Sequence, residues 1–186
     1  MTNELENSFR HLERGNIILY PTDTVWGIGC DATNPVAVQK IYSLKQREDS
    51  KALICLVDSV EMLSSYVATI PEQAFPYLEA LSRPTTIIYP KAQHLAKNLI
   101  AQDGSIAIRI CQTEFCKHLL SKFGKPIVST SANISKRPTP QTFGDIENEI
   151  KGGVDYIVNV HQDDEPQTPS KIIRFDGNGN LKIIRD

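Results

Sequence analysis

The sequence predicts an α/β (α+β) fold: a single domain over residues 1–186, with a mixed, twisted, open sheet flanked by helices. Two observations predict this class. Short apolar runs bounded by turn residues alternate with segments of helical periodicity, and hairpin-like pairs of runs lie at both ends of the chain. In addition, 186 residues with 40% hydrophobic content suffice for one well-packed core, and no proline-rich linker divides them.

The individual elements follow from apolar periodicity and from turn and capping residues. Predicted strands cover residues 17–20, 25–31, 53–57, 85–90, 105–110, 126–130, 155–160, 170–175 and 181–185. Predicted helices cover residues 4–14, 35–44, a short segment begun by the capping-box pattern Asp58-x-x-Glu61, a segment after Pro71, the stretch from Thr113 to Gly124, and 142–150. The last two strands form a hairpin across residues 176–179.

The first strands and the helix that follows them contain several specific signals. Strand 17–20 stops at Pro21-Thr22-Asp23-Thr24, so it ends in hydroxyls and an acid. Gly27 and Gly29 lie inside the next strand, which removes side chains where backbone or a ligand must approach closely. Asn34 is a good N-cap and Pro35 a good first helical residue, and they predict the start of helix 35–44.

A group of cations follows this helix: Lys45, Arg47 and Lys51 lie between Leu44 and the next strand. Cations gathered in the same unit as a threonine-rich strand end suit a polyanion such as a nucleoside triphosphate. Cations also favour helix C-termini because of the helix dipole. A solvated basic helix end is therefore the alternative interpretation.

Two polar features of the second half are candidates for a binding site. Arg109 interrupts the apolar pattern of strand 105–110, and it either pairs on the surface or binds a ligand carboxylate in bidentate geometry. Small polar residues from Ser129 to Asn133 follow strand 126–130. They can surround phosphate or ribose oxygens without steric cost, although an ordinary polar turn is the alternative.

Charge and cysteine usage narrow the class of protein. The net charge is −2 and the pI is near 6.1, so any basic surface for nucleic acid must be local. Without a signal peptide or a long apolar span, we expect a cytoplasmic protein that does not bind membranes, with free structural thiols. The spacing Cys111-x4-Cys116, near His118, resembles half of a zinc site, but no second ligand pair completes it, so no metal site is predicted.

Other catalytic and cofactor motifs are excluded on their context. Gly27-x-Gly29-x-x-Ala32 matches the dinucleotide fingerprint in its letters, but the glycines lie inside an extended run instead of opening a helix. The sequence contains no P-loop and no Gly-x-Ser-x-Gly nucleophile motif. None of the four histidines lies in a recognisable triad context.

Three motifs occur in a fixed order: Pro21 to Gly29 (PTDTVWGIG), Lys45-x-Arg47, and Ser129-Thr130-Ser131-Ala132-Asn133. In these residues the chain resembles the YrdC-like family, the threonylcarbamoyl-adenylate synthases that serve threonylcarbamoyl modification of tRNA adenosine, and the similarity runs over nearly the whole chain. The resemblance implies the family's α/β twisted-sheet fold. It also implies synthesis of threonylcarbamoyl-AMP and pyrophosphate from L-threonine, bicarbonate or CO2, and ATP, with Mg2+ accompanying ATP as the cofactor.

The resemblance also implies roles for individual residues, with Lys45 and Arg47 as the catalytic pair that holds the phosphates. The threonine-binding residues would be Thr24, Arg109, Ser129 and Ser170, with Arg109 on the carboxylate. The nucleotide-binding residues would be Lys45, Arg47, Lys51, Thr86, Ser131, Asn133, Thr139 and Arg185. The cleft should lie where the ends of strands 17–20, 85–90 and 126–130 meet the turn from Lys45 to Lys51.

The chain departs from the family pattern at several positions. Arg83 and Lys136 stand where glycine is usual, Cys111 replaces a proline, and Lys171 replaces a threonine. The resemblance leaves a second class of function open, a double-stranded-RNA- or tRNA-binding paralogue without synthase activity. Some relatives lack Ser-Ala-Asn, so its presence here favours the enzyme. Besides threonine, bicarbonate and ATP, tRNA and the downstream threonylcarbamoyl-transferase machinery are candidate partners.

Overall fold

The computed structural model describes residues 2–46, 53–79, 83–165 and 168–186. The helices are α1 (Thr2–Glu13), α2 (Pro35–Leu44), α3 (Val60–Tyr66), α4 (Phe75–Glu79, preceded by a 3₁₀ turn at Glu72–Ala74), α5 (Glu114–Phe123) and α6 (Asn148–Gly153). The strands are β1 (Ile18–Tyr20), β2 (Gly27–Gly29), β3 (Ile54–Val57), β4 (Thr85–Tyr89), β5 (Ile106–Ile110), β6 (Ile127–Ser131), β7 (Tyr156–Ile157), β8 (Lys171–Phe175) and β9 (Leu181–Arg185).

The described strands form one sheet of nine strands in the order β7-β1-β2-β6-β3-β5-β4-β8-β9. The pairs β1–β7, β3–β5 and β4–β8 are parallel, whereas the other neighbours are antiparallel. Crossovers between distant parts of the chain create the parallel pairs, and a tight turn joins β8 to β9. The predicted fold class, a mixed open sheet flanked by helices, is confirmed.

The N-terminal elements begin and end close to where their capping residues predict. The side chain of Asn34 accepts hydrogen bonds from the backbone N–H groups of Val36 and Ala37 at the start of α2. Gly15 follows α1 with φ +68° and donates its N–H to the carbonyl of Leu12. At α3 the prediction is wrong in one detail, because Ser59 instead of Asp58 caps the helix by accepting from the N–H of Met62.

Three predicted elements are much shorter than expected, and one of them is the strand predicted over 25–31, which is reduced to β2. The helix predicted over 142–150 begins only at Asn148, because the side chain of Asp145 accepts hydrogen bonds from the N–H and the hydroxyl of Thr142. These local bonds hold a turn in place of a helical turn. The strand predicted over 155–160 is reduced to β7, which pairs with β1 over two residues.

The two faces of the sheet are covered unequally, and this difference creates the site. On one face, residues such as Ile87, Ile108 and Val128 join a large core that also contains buried residues of α2, α3 and α6. On the other face, Leu56 and Ile127 pack with α1 and α5. Because side chains alternate along a strand, the residues that follow on this second face remain free of helix cover and line a cavity.

The glycines of β2 are explained by close packing between strands. A Cβ on Gly29 would lie 2.7 Å from the carbonyl oxygen of Val128 and 2.6 Å from the ring of Tyr20. A Cβ on Gly27 would lie 2.9 Å from Oγ of Ser129. The prediction that these glycines permit close approach is confirmed for backbone and side chains of the protein itself.

All four cysteines are free and buried, as the apolar runs around them predicted. Along the described segments, no helix is long and apolar enough to cross a membrane. The same segments contain no group of three or more His, Cys, Asp or Glu side chains arranged to hold a metal ion.

Candidate ligand-binding site

A cavity of about 240 Å³ lies on the part of the sheet face that α1 and α5 leave uncovered. Its floor is apolar and includes Ile54, Ile88, Ala107 and Ile172. The polar residues that line it are Thr24, Arg109, Ser129, Thr130, Ser131, Thr139, Ser170 and Arg185. An apolar floor with a few polar groups at its rim is typical of a site for a small organic ligand.

The cavity lies on the sheet face beside the turn after β1 and the end of β6, and most of the basic turn from Lys45 to Lys51 that was expected to border it lies outside the described residues. The structure brings together most of the predicted residues: Thr24, Arg109, Ser129, Ser131, Thr139, Ser170 and Arg185. Three others, Lys45, Thr86 and Asn133, lie behind the cavity wall, and Arg47 and Lys51 lie outside the described residues. The apolar floor of the cavity was not predicted from the sequence. Strand alternation gives a signal for it, because Ala107 precedes Arg109 by two positions and therefore lies on the same face of the sheet.

Arg109 is buried in the cavity wall. Its side chain is 3% exposed, and Nη2 lies 2.9 Å from Oδ1 of Asp23, whose side chain is 6% exposed. Nη2 also donates to Oγ1 of Thr24 at 3.2 Å. The Nε–H is buried and has no hydrogen-bond partner among the described residues. Arg109 is therefore not paired on the surface, and one of its buried donors has no partner among the described residues.

Asp23 connects the turn after β1 to the end of β5. Its Oδ2 accepts from the N–H of Gln112 at 3.3 Å, and its Oδ1 lies 3.4 Å from the thiol of Cys111. A hydrogen bond with the Cys116 thiol lowers the pKa of Cys111, while that same contact and burial raise the pKa of Cys116. The sequence did not predict Asp23 as the partner of Arg109, and its only signal was an acid in a hydroxyl-rich turn.

Ser170 links Thr86 and Arg185 at the other end of the cavity. The hydroxyls of Thr86 and Ser170 lie 2.8 Å apart, and Thr86 is fully buried. The guanidinium of Arg185 donates to the carbonyl of Ser170 from Nε and Nη2 at 3.0 and 2.7 Å. Partial burial, and second the charge of Arg109, lower the pKa of Arg185. Within the described residues Arg185 contacts Ser170 and no carboxylate, so its charge makes this part of the cavity attractive to anions.

Lys45 supports the loop that carries the serine-rich motif. Its side chain is almost fully buried, and Nζ donates to the carbonyls of Ser131 and Asn133 at 2.5 and 2.6 Å. The side chain of Asn133 donates to the carbonyls of Ile134 and Arg137 at 2.9 and 2.8 Å. Two of the three N–H donors of this ammonium are therefore engaged by carbonyls of the loop.

The departures at Arg83 and Lys171 meet at one carboxylate. Nη1 of Arg83 lies 3.0 Å from Oδ1 of Asp186, and Nζ of Lys171 lies 3.4 Å from the same oxygen. Neither side chain belongs to the lining of the cavity described above. The side chain of Arg83 is thus turned to Asp186 and does not narrow the cavity.

The departure at Lys136 lies at a left-handed position of the backbone, with φ +70°. Glycine adopts this conformation without steric cost, whereas an L-residue with a side chain does not. We expect Lys136→Gly to increase the free energy of unfolding by about 1 kcal/mol. Urea unfolding of the variant and of the parent chain measures this change.

Lys97→Gly serves as the matched control, because Lys97 is an exposed turn lysine whose φ is negative. There glycine only adds freedom to the unfolded chain, so we expect stability to fall. Equal losses of stability in both variants would show that the left-handed backbone of Lys136 carries no strain.

Fold and cavity together define an α/β protein whose polar-rimmed cavity suits a small anionic ligand. Comparison with known proteins identifies it further: the chain belongs to the Sua5/YciO/YrdC family, whose family model, described as "Telomere recombination", matches residues 10–186. It is 36% identical over 148 residues to a threonylcarbamoyl-AMP synthase of Vibrio parahaemolyticus, an alignment that covers 78% of this chain and 80% of the relative.

Solved structures of relatives have the same fold. P. abyssi Sua5 complexed with L-threonine superposes with a TM-score of 0.86 at 25% identity, covering 97% of this chain and 53% of that one. This chain thus spans about half the length of that protein. E. coli YciO superposes with a TM-score of 0.86 at 21% identity, covering 100% of this chain and 90% of that one, and this likeness concerns the fold alone.

Proposed function

We propose that this chain is an L-threonylcarbamoyladenylate synthase, an enzyme that transfers an AMP group. It would form threonylcarbamoyl-AMP and pyrophosphate from L-threonine, bicarbonate or CO2, and ATP. Family membership and the name of the Vibrio parahaemolyticus relative support this function over RNA binding without catalysis. The observation that carries the proposal is the single cavity in which Arg109, the serine-rich strand β6 and the Ser170–Arg185 pair meet.

Threonine binds, in this proposal, beside Arg109 and Thr24. A buried donor without a partner costs free energy, and the Nε–H of Arg109 is such a donor within the described part of the chain. A carboxylate would satisfy it with a charge-assisted hydrogen bond. The hydroxyls of Thr24, Ser129 and Ser170 would then contact the remaining polar groups of the amino acid. The threonine bound by P. abyssi Sua5 supports an amino-acid site in a fold of this kind.

The nucleotide occupies the rest of the cavity in this proposal. The apolar floor would take the adenine ring, while Ser131, Thr139 and Arg185 would contact ribose and phosphate oxygens. Arg47 and Lys51 would hold the phosphates from the segment outside the described residues. Lys45, Thr86 and Asn133 would act from behind the cavity wall. None of the described lining residues is a carboxylate, so Mg2+ would enter as part of the Mg-ATP substrate.

The chemistry requires orientation and charge neutralisation and needs no nucleophile from the protein. The amine of threonine attacks CO2 and loses a proton, which gives a carbamate. A carbamate oxygen then attacks the α-phosphorus of ATP, and the bond to the bridging oxygen breaks as pyrophosphate leaves. In this proposal the guanidinium groups of Arg109 and Arg185 would neutralise the carboxylate and the phosphates. The product would pass to the downstream threonylcarbamoyl-transferase machinery that acts on tRNA.

Pyrophosphate release from Mg-ATP tests this function. We expect release that requires both threonine and bicarbonate and that falls to background when either is left out. Binding of tRNA over a range of salt concentrations tests the alternative. A steep salt dependence of RNA affinity without threonine-dependent pyrophosphate release would instead identify an RNA-binding paralogue.

A further inference from the structure

Lys45 joins two distant parts of the chain through its side chain and its backbone. Nζ donates to the carbonyls of Ser131 and Asn133, and the carbonyl of Lys45 accepts from the N–H of Ser135 at 2.9 Å. Three hydrogen bonds thus connect the C-cap of α2 to one short loop after β6. This loop follows directly on Ser129 and Thr130, which line the cavity.

We infer that Lys45 is a positioning residue, whose ammonium fixes the loop from Ser131 to Ser135 and thereby the hydroxyl-bearing wall of the cavity. It does not bind phosphate itself. The inference about the loop stands on the free protein alone. Only its consequence for ligand affinity rests on the proposed function.

Burial makes this role obligatory for the side chain. An ammonium removed from water requires acceptors that replace its hydration, and two carbonyl oxygens at 2.5 and 2.6 Å supply them. In turn, the ammonium of Lys45 is a charged hydrogen-bond donor for two carbonyls of the loop. A neutral side chain of similar length would leave both carbonyls without this donor.

Besides Lys45, few backbone hydrogen bonds attach this loop to the rest of the fold, although Ala132 and Ile134 also pack in the main core. The N–H of Ala132 donates to the carbonyl of Trp26 at 3.1 Å, whereas the N–H of Asn133 bonds within the loop to Ser131 at 2.9 Å. The side chain of Asn133 also bonds only to neighbouring loop carbonyls in the described residues, at Ile134 and Arg137. Without the ammonium of Lys45, Ser131 would still pair with Gly27 of β2, but the carbonyls of Ser131 and Asn133 would lose the side chain that connects them to α2.

Hydrogen–deuterium exchange on the free protein tests the role directly. In Lys45→Met we expect the backbone amides of Ala132, Asn133 and Ser135 to exchange about tenfold faster or more than in the parent chain. Lys40→Met is the matched control, because Lys40 lies on the same helix and donates to the carbonyl of Gly15 at 2.9 Å from an exposed position. The control should leave the loop amides unchanged. Unchanged loop exchange in Lys45→Met would overturn the inference.

Nitrogen NMR of the Lys45 ammonium separates positioning from phosphate binding. With ¹⁵Nζ-labelled lysine, we expect the Lys45 resonance to keep its position and its slow proton exchange when Mg-ATP is added. A large shift or loss of protection on addition of Mg-ATP would mean that the ammonium leaves the carbonyls for phosphate. That result would overturn the assignment.

Ligand affinity links the loop to the cavity. We expect Lys45→Met to weaken both Mg-ATP and threonine, whereas Leu120→Ala, a core truncation in α5, should leave both affinities unchanged when each variant is measured below its unfolding transition. Equal affinities in Lys45→Met and the parent chain would overturn the link to the cavity. If the loop loosens but the parent chain itself binds neither ligand, the positioning role is supported and the proposed function fails.

Discussion

Arg109→Met should reduce the free energy of unfolding by about 3–5 kcal/mol. The substitution keeps most of the side-chain volume but leaves the carboxylate of Asp23 buried without its cation, and both side chains are at most 6% exposed. The hydrogen bond from the N–H of Gln112 compensates only part of this loss. Urea unfolding followed by circular dichroism measures the change. A loss below about 1 kcal/mol, the usual worth of an exposed ion pair, would contradict the buried pairing.

A double-mutant cycle identifies Asp23 as the partner. Asp23→Asn in the Arg109→Met background removes the uncompensated charge, so the double variant should be more stable than Arg109→Met alone. Arg174→Met is the matched control, because Arg174 pairs with Asp103 on the surface at 3.0 Å. Additive effects of the Asp23 and Arg109 substitutions would show that the two side chains do not interact.

Arg109→Lys should weaken threonine binding by roughly tenfold to more than a hundredfold while ATP binding stays nearly intact. Lysine keeps the charge beside Asp23 but loses the planar guanidinium and with it the unpaired Nε–H that we propose binds the threonine carboxylate. A lost charge-assisted contact of this kind is worth about 1.5–3 kcal/mol. Calorimetric titration of the variant with each ligand separately measures both affinities.

The control for this second experiment is Arg174→Lys, the same substitution at an exposed ion pair. It should leave the affinities for threonine and ATP unchanged. An Arg109→Lys protein that binds threonine normally would return Arg109 to a purely structural role with Asp23. Parallel losses for both ligands would point instead to a general distortion of the cavity.

Local signals in the sequence predict most of the fold because they act over a few residues. Asn34 and Pro35 predict the start of α2, and Gly124 ends α5 in a left-handed conformation as expected. Residues 142–147 are not helical, because the Thr142–Asp145 hydrogen bonds compete with the helical pattern. The spacing of the apolar residues gives no sign of this competition, so it predicts a helix from residue 142 onward.

The candidate site is less predictable than the fold, because it depends on which face a strand leaves uncovered. The resemblance to a known family named Arg109, Ser129 and Ser170, and the structure places all three on one cavity. The pairing of Arg109 with Asp23 and the burial of Lys45 arise from contacts between segments about 85 residues apart. Such contacts leave no local pattern in the sequence. The sequence alone therefore could not show whether Lys45 binds a phosphate or holds a loop.

The central claim is that this cavity joins threonine, a one-carbon unit and AMP. The most direct measurement is mass spectrometry of the products formed from Mg-ATP, L-threonine and ¹³C-bicarbonate. The account predicts threonylcarbamoyl-AMP that carries one ¹³C, formed in equal amount with pyrophosphate and strongly reduced in Arg109→Lys at low threonine. Cleavage of ATP without any ¹³C-labelled threonylcarbamoyl-AMP, or no reaction of the folded parent chain, would contradict it.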